Sequence, residues 1–564
     1  MHRNEKSVYL ELAFGRLHLE YSACEVRFGS MSWHATNSGL IVILCVLVAN
    51  ADIADWRTGE TIPGSELLIP GPGVDWSSDR TSPRNLQYAD LSGLDLSEAN
   101  FHFVQLNHAK LSGANLEGVN FIGADLTSAD LTDSNLFQAD MGTIFPPFRP
   151  VLKDAKLNRA DLTETVFVAA DLTGADFTDA IILGANFSST DGFSRQQLTS
   201  TASYKSKNLE GVTLGGHDLS GVDFSSHNLF AADFSGADLL NTNFSDSIIT
   251  WSSFSNVTDT FTQDQLYSTA SYENKNLRGV SLANTSNSLK SIVSGWDFSS
   301  QDLLASSFRY ANATQADFTS ANLTHAEFWK THLAGANFSG AVLKGTDFRD
   351  VADLGSAVFS KETLYDERTR FPLGFSPDEF GLSFVPTIKG DIDGVDGLTI
   401  SDLDLIVMTF AYPSYVPSIG TSAMDLTGDS RVDEQDAAHW ITSLKNTRFG
   451  DANLDGIVSF SDFLLLADNF GDPGSWKQGD FDHDRKVTFS DFLILASNFG
   501  EPATATIPEP DANLLLIVCI VSGILPAYRP GSLLAVHSSK RSARMRRTAP
   551  RLTARQSETR SAVS

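Results

Sequence analysis

Oxygen-bearing side chains recur at fixed intervals in four stretches of the last third of this 564-residue chain. In DANLDGIVSFSD, residues 451–462, Asp451, Asn453, Asp455 and Asp462 take positions 1, 3, 5 and 12, with Gly456 at position 6. Calcium is a hard cation that wants oxygen ligands, and a twelve-residue loop with this spacing wraps its carboxylates around one point. Ile457 at position 7 would add its backbone carbonyl, and Ser459 at position 9 would hold a water. A near copy follows in DFDHDRKVTFSD, residues 480–491, with Asp480, Asp482, Asp484 and Asp491 in the ligand places and Lys486 at position 7. Arg485 replaces the glycine usual at position 6, which predicts a strained turn.

The pattern extends upstream. DLTGDSRVDEQD (425–436) offers Asp425, Thr427, Asp429, Asp433 and Asp436. DIDGVDGLTISD (391–402) offers Asp391, Asp393 and Asp402, but Val395 stands at position 5 and Asp396-Gly397 is displaced by one, so calcium at this loop stays open. Solvated turns are the plain alternative, and four copies with matching spacing argue against it. An apolar stretch follows each loop. FSDFLLLADNFG (460–471) puts Phe463, Leu464, Ala467 and Phe470 on one helix face and stops at Gly471; FSDFLILASNFG (489–500) nearly duplicates it.

Two loop–helix units in tandem, with Asp at position 12, resemble a type I dockerin domain, an EF-hand-like calcium-binding module. The resemblance implies docking onto a cohesin-type partner, often within assemblies that degrade polysaccharides. It places a dockerin-like pair at 450–501 and a degenerate pair at 387–447. The alternative is that the loops fold on calcium simply to make a stable stalk, since metal binding is folding energy in small modules.

What carries these loops is a repeat. Leu91, Leu96, Phe101, Leu106 and so on to Met141 stand five residues apart; the spacing breaks at PPFRP (146–150) and resumes from Leu157 to Phe187, Leu209 to Phe254 and Phe298 to Phe348. Steps of five smear around an α-helix and alternate faces on a strand, so only a chain that turns a corner at each repeat keeps these residues inside. Segments such as GADLTSADLTDSNL (123–136) and GANFSGAVLKGTDF (335–348) resemble the pentapeptide-repeat family. The resemblance implies a mostly β fold, a right-handed quadrilateral β-helix of roughly ten coils over 86–372. Central Leu and Phe would stack inside with the preceding Ala, while Asp, Asn, Ser and Thr face water.

Residues 52–85 read as an N-terminal cap. DGFSRQQLTSTASYKSKNLEGVTL (191–214) recurs as DTFTQDQLYSTASYENKNLRGVSL (259–282), and the capping boxes Ser194/Gln197 and Thr262/Gln265 predict short helices near 191–207 and 259–275, with plain loops as the alternative.

The ends point to export. GLIVILCVLVANA (39–51) follows Met31 and closes on Ala49-Asn50-Ala51, a signal-peptide pattern that predicts cleavage before Asp52. Residues 1–51 then form a leader, with Met31 a candidate start and a membrane anchor the alternative. Cleavage leaves Cys519 as the one cysteine, so no disulfide staples the chain and repeats and metal must stabilise it. Residues 502–511 form a linker ending in Pro508-Glu509-Pro510; an apolar run (512–528) and a basic tail (529–564) follow. This order resembles a PEP-CTERM sorting signal, which implies a membrane segment, a sorting protease, and release or attachment at the cell surface. A buried core helix is the alternative for 512–528.

A net charge of −28 argues against nucleic acid as a partner. No nucleophile, zinc or nucleotide motif stands in a fitting context, and His102, His217, His332 and His483 are scattered, so no enzyme is expected. Trp251, Trp296 and Trp329 suggest a sugar-stacking strip, although isolated exposed tryptophans need no explanation. Three readings compete: an exported surface scaffold, a dockerin-bearing part of a polysaccharide-degrading assembly, and an acidic DNA mimic, the last implied by topoisomerase inhibitors among pentapeptide proteins and opposed by the signal peptide.

Overall fold

The computed structural model describes residues 53–500, save 66–67, 80, 143–147, 258–259, 286–292, 396, 412–422, 473 and 485, together with two short antiparallel strands, Leu10–Leu12 and Gly15–Leu17. The cleavage site at 49–52, the linker, the apolar run 512–528, the basic tail and Arg485 lie outside the described residues. Among the described residues no helix is long and apolar enough to cross a membrane.

From Asn85 onward the backbone pairs with itself one coil later. Parallel bridges join Asn85 to Gln105, Asp90 to Lys110, Asp95 to Asn115 and Asn100 to Asn120, and the same columns continue at steps of twenty residues. Four pairings per coil make a four-sided tube. Regular strand is scarce, contrary to the expectation of a mostly β chain, because each side is only five residues long and two of them are spent on the corner. The corner has a fixed chemistry. The central residue's carbonyl accepts from the N–H three residues on (Ala99 to Leu96, 3.1 Å), and the residue two past the centre takes positive φ, as at Gly93, Glu98, Phe103 and His108. That left-handed corner disfavours any side chain, and the Asp or Asn before the centre offsets the cost. Asn100 Oδ1 accepts from His102 N–H at 3.1 Å, and Asp125 Oδ1 from Thr127 N–H at 3.0 Å. These acidic residues therefore close the corners rather than merely face water.

Inside, the centres stack. Phe298, Phe318 and Phe338 lie parallel at 5.3 and 5.0 Å, Phe308, Phe328 and Phe348 at 5.0 and 5.2 Å, and the two stacks meet edge to face. The preceding alanines are fully buried as well, as at Ala89 and Ala99. The break at 146–150 lengthens one coil without ending the tube, since Asp125 pairs with Val151. The two long repeats form helix pairs: α1 (Arg195–Ser200) with α2 (Ala202–Lys205), and α3 (Gln263–Tyr267) with α4 (Ala270–Glu273). Leu198 and Leu266 reach the core, so these helices close a side of the tube.

After the last coil come α5 (Ile400–Ala411), α6 (Glu434–His439, continuing into a π turn at Trp440–Leu444), α7 (Phe460–Asp468) and α8 (Phe489–Asn498). Their core includes Ala231, Trp251, Leu304 and Ala305 of the tube, so the helical region is seated along one of its edges. That edge is a column of successive corners, Ala231, Trp251, Gly279, Ala305, His325 and Gly345, all at positive φ. Gly279 is required there, because a Cβ would sit 2.1 Å from the Trp251 ring.

His325 in this column has Nε2 shut off from solvent without a hydrogen-bond partner, and burial pushes its pKa down to about 4. Between the unfolded value near 6.5 and about 4, the unfolded chain binds a proton that the native ring refuses. Stability is therefore full above pH 6.5 and falls as the pH drops toward 4. Thermal melts at pH 7.5 and 5.0 are expected to show wild type losing about 1–2 kcal/mol more than His325→Gln.

Candidate metal centre

All four acidic loops share one scaffold. The position-12 carboxylate lies inside the loop and collects the backbone N–H of position 3, joined in three loops by that of position 2, on one oxygen and that of position 9 on the other. Asp491 accepts from Phe481 (2.6 Å), Asp482 (3.1 Å) and Thr488 (2.8 Å), and Asp402 from Ile392 (2.6 Å), Asp393 (3.0 Å) and Thr399 (2.7 Å). Asp436 accepts likewise from Leu426, Thr427 and Asp433, and Asp462 from Asn453 and Ser459. The position-9 side chain in turn caps the next helix at Asp433, Ser459 and Thr488. One carboxylate thus shapes the loop and starts the helix.

The loops differ in what they gather. Asp480, Asp482, Asp484 and Asp491 each bring one oxygen within 4.8 Å of the others, and so do Asp391, Asp393 and Asp402. Oxygens 2.3–2.6 Å from one calcium lie within about 5 Å of each other, so both sets match the span of a coordination sphere. In the first, Lys486 stands at position 7, where its carbonyl would complete the set. Among the described residues, the 425–436 and 451–462 loops gather no such trio of carboxylates. There the position-1 group is taken up by its own loop: Asp451 accepts from Asp455 and Gly456, and Asp425 from Gly428, Asp429 and Ser430. Asn453 and Asp455 receive the N–H groups of Asp455 and Ile457, and Asp429 that of Arg431. Thr427 lies exposed.

The donor set fits a hard cation. Asp451, Asp462, Asp480 and Asp491 are buried, and burial pushes Asp451 and Asp491 above the ordinary carboxylate range. Clustered buried carboxylates repel one another unless a positive charge joins them. An ion entering these loops would meet all-oxygen ligands and displace protons from the raised groups.

Two sequence expectations need correction. Phe463 is buried with Leu466, while Leu464 is 46% exposed and aligns with Phe460 on the outer ridge, because residues four apart share a helix face. The tryptophan strip does not form: Trp251 and Trp296 are buried, and Trp329 has Arg309 and Lys330 over its ring at 4.9 and 4.4 Å.

The family model described as pentapeptide repeats matches this chain in eight copies, over residues 85–113, 105–142, 152–191, 228–258 and 316–351. The tube is therefore built of pentapeptide repeats, and the matches end upstream of every acidic loop. Among solved structures, the chain is similar to HetL, a pentapeptide repeat protein involved in heterocyst differentiation regulation from the cyanobacterium Nostoc sp. strain PCC 7120. The two share 18% identity over 57% of this chain and 89% of that one, with a TM-score of 0.16. It is also similar to trypsin-treated QnrB1, a plasmid-mediated fluoroquinolone resistance protein (13% identity, 56% and 92% covered, TM-score 0.18). A third is Rfr23 from the cyanobacterium Cyanothece 51142 (21% identity, 25% and 84% covered, TM-score 0.13). No curated protein matches the chain.

Proposed function

We propose that this chain is an exported, surface-associated scaffold without catalysis of its own, in which the pentapeptide rod carries a calcium-folded docking region. One observation supports docking above the rest. Phe460 and Phe489 are 50% and 56% exposed, and Leu464 and Leu493 are 46% and 53% exposed. These are the same two places in each repeat, so the duplicated helices present a duplicated apolar row. Large exposed apolar side chains in register mark a protein-binding face. The dockerin resemblance implies a cohesin-type partner, and calcium in the loops before α7 and α8 would hold the two helices in place.

The signal-peptide pattern before Asp52 and the Pro-Glu-Pro, apolar and basic order at the C-terminus support export, membrane passage and processing by a sorting protease. A cohesin partner that also recruits polysaccharide-degrading enzymes would make the chain part of such an assembly. The test uses the full chain on an immobilised cohesin domain. Retention is expected in calcium, to vanish in chelator, and to fall about tenfold or more when Phe460, Leu464, Phe489 and Leu493 are all changed to serine, the loss of apolar anchors being worth over ~1.4 kcal/mol. Equal retention of wild type and variant would refute the docking face.

A further inference from the structure

The 391–402 loop meets the rod through charged contacts, and the rod answers it with Lys344 and Arg278. Arg278, Leu304, Thr324 and Lys344 belong to successive coils of one column beside the docking edge, since Gly279, Ala305 and His325 donate to the carbonyls of Leu304, Thr324 and Lys344. Lys344 is only 7% exposed. Its ammonium donates to the Gly394 carbonyl at 2.6 Å and lies 3.7 Å from Asp391 Oδ2. Arg278 Nη2 lies 3.4 Å from Asp393 Oδ2, Nη1 donates to Ser401 Oγ, and Nε pairs with Asp302 of the rod.

The backbone fits the same contact. Gly394 has φ +72°, and a Cβ there would lie 2.7 Å from Thr324 Oγ1 and 3.1 Å from Lys344 Cδ. Position 4 is thus glycine because the loop presses on the rod. Position 5, a carboxylate in the other three loops, is Val395. Asp391 Oδ1 is buried without a hydrogen-bond partner, and the Lys344 ammonium beside Oδ2 brings a compensating charge to this carboxylate.

We infer that the 391–402 loop binds no calcium and works as a latch, in which the Lys344 ammonium takes the place of the ion and Arg278 holds the neighbouring carboxylate, fixing the helical region to the rod whether or not calcium is present. A divalent ion among Asp391, Asp393 and Asp402 would face two fixed positive charges paired with the same carboxylates. Removing one partner of a buried ion pair strands the other, so the latch should be sensitive to a single charge.

The experiment uses the full chain. Hydrogen exchange of residues 391–411 is expected to stay protected in wild type with chelator present. In Lys344→Met, which keeps the aliphatic stem and drops the charge, exchange there should rise tenfold or more. Calcium bound per chain, counted by elemental analysis, should be the same in wild type and Asp391→Asn. Loss of protection when wild type is chelated, full protection in Lys344→Met, or one calcium fewer in Asp391→Asn would each overturn the inference. Failure of the calcium reading at the other loops would appear separately, as a count of zero in both chains, and leave the exchange result to judge the latch.

Discussion

Phe318→Ala is expected to destabilise the rod by about 3–5 kcal/mol, toward the upper end of what a large-to-small core change costs. The ring is fully buried, stacked on Phe298 and Phe338 and met edge-on by Phe308 and Phe328. How much a cavity costs depends on whether its walls can close. Here the walls are backbone bridged on both sides: Phe318 N–H donates to Asn337 O at 2.7 Å, and Asp317 N–H to Trp296 O at 2.9 Å. A coil cannot move inward without breaking its bonds to the coils above and below, so the void persists. A repeat array passes energy mainly between neighbours, so hydrogen exchange should rise first in the coils flanking residue 318. Denaturant titration checks the magnitude, with Ile248→Ala as the control. That side chain lies outside the tube, 47% exposed, and its loss should cost within about 0.5 kcal/mol.

The interior of the rod was legible because a tube with a corner every fifth residue imposes its period on whatever faces inward. Leu91 through Phe348 display that period directly. The corners were less legible. Tyr88, Glu98 and Phe103 carry nothing that announces a left-handed backbone, since the permission comes from the Asp or Asn three positions earlier, whose side chain bonds the turn. Leu198 and Leu266 were hidden for a related reason: they enter the core from helices, outside the five-residue count.

The candidate metal residues were legible as a list of oxygens at fixed spacing, because a twelve-residue loop encodes its ligand positions locally. What the spacing could not carry is which oxygens meet. Asp480, Asp482, Asp484 and Asp491 converge, whereas Asp451 and Asp425 are drawn into bonds with their own loops. Nor could it show contacts between the two halves of the chain. In GAVLKGTDF, Lys344 occupies a place the repeat normally turns to water, and nothing local distinguishes it from Lys153. Its burial is created by a loop fifty residues downstream.

Asp491→Asn should weaken calcium binding about a hundredfold and shorten α8, because one side chain holds three functions that asparagine cannot hold together. As a ligand it supplies a full negative charge, and losing a charge from a buried ionic cluster costs about 3 kcal/mol or more, which is about two decades of affinity. As a loop brace it accepts from Phe481 and Asp482 on Oδ1, and as the far half of a capping box it accepts from Thr488 on Oδ2. Asparagine has one acceptor oxygen; whichever pair of bonds it keeps, its amide turns donors toward the donors on the other side. Isothermal titration of the full chain reads the affinity, and far-ultraviolet circular dichroism with and without chelator reads the helix. Wild type should lose helical signal on chelation, since the gathered carboxylates of Asp480, Asp482, Asp484 and Asp491 then repel one another. The variant should start near that lowered signal and change little. A variant that binds calcium as tightly as wild type would show that the ion sits elsewhere and that the position-12 carboxylates only shape the turns.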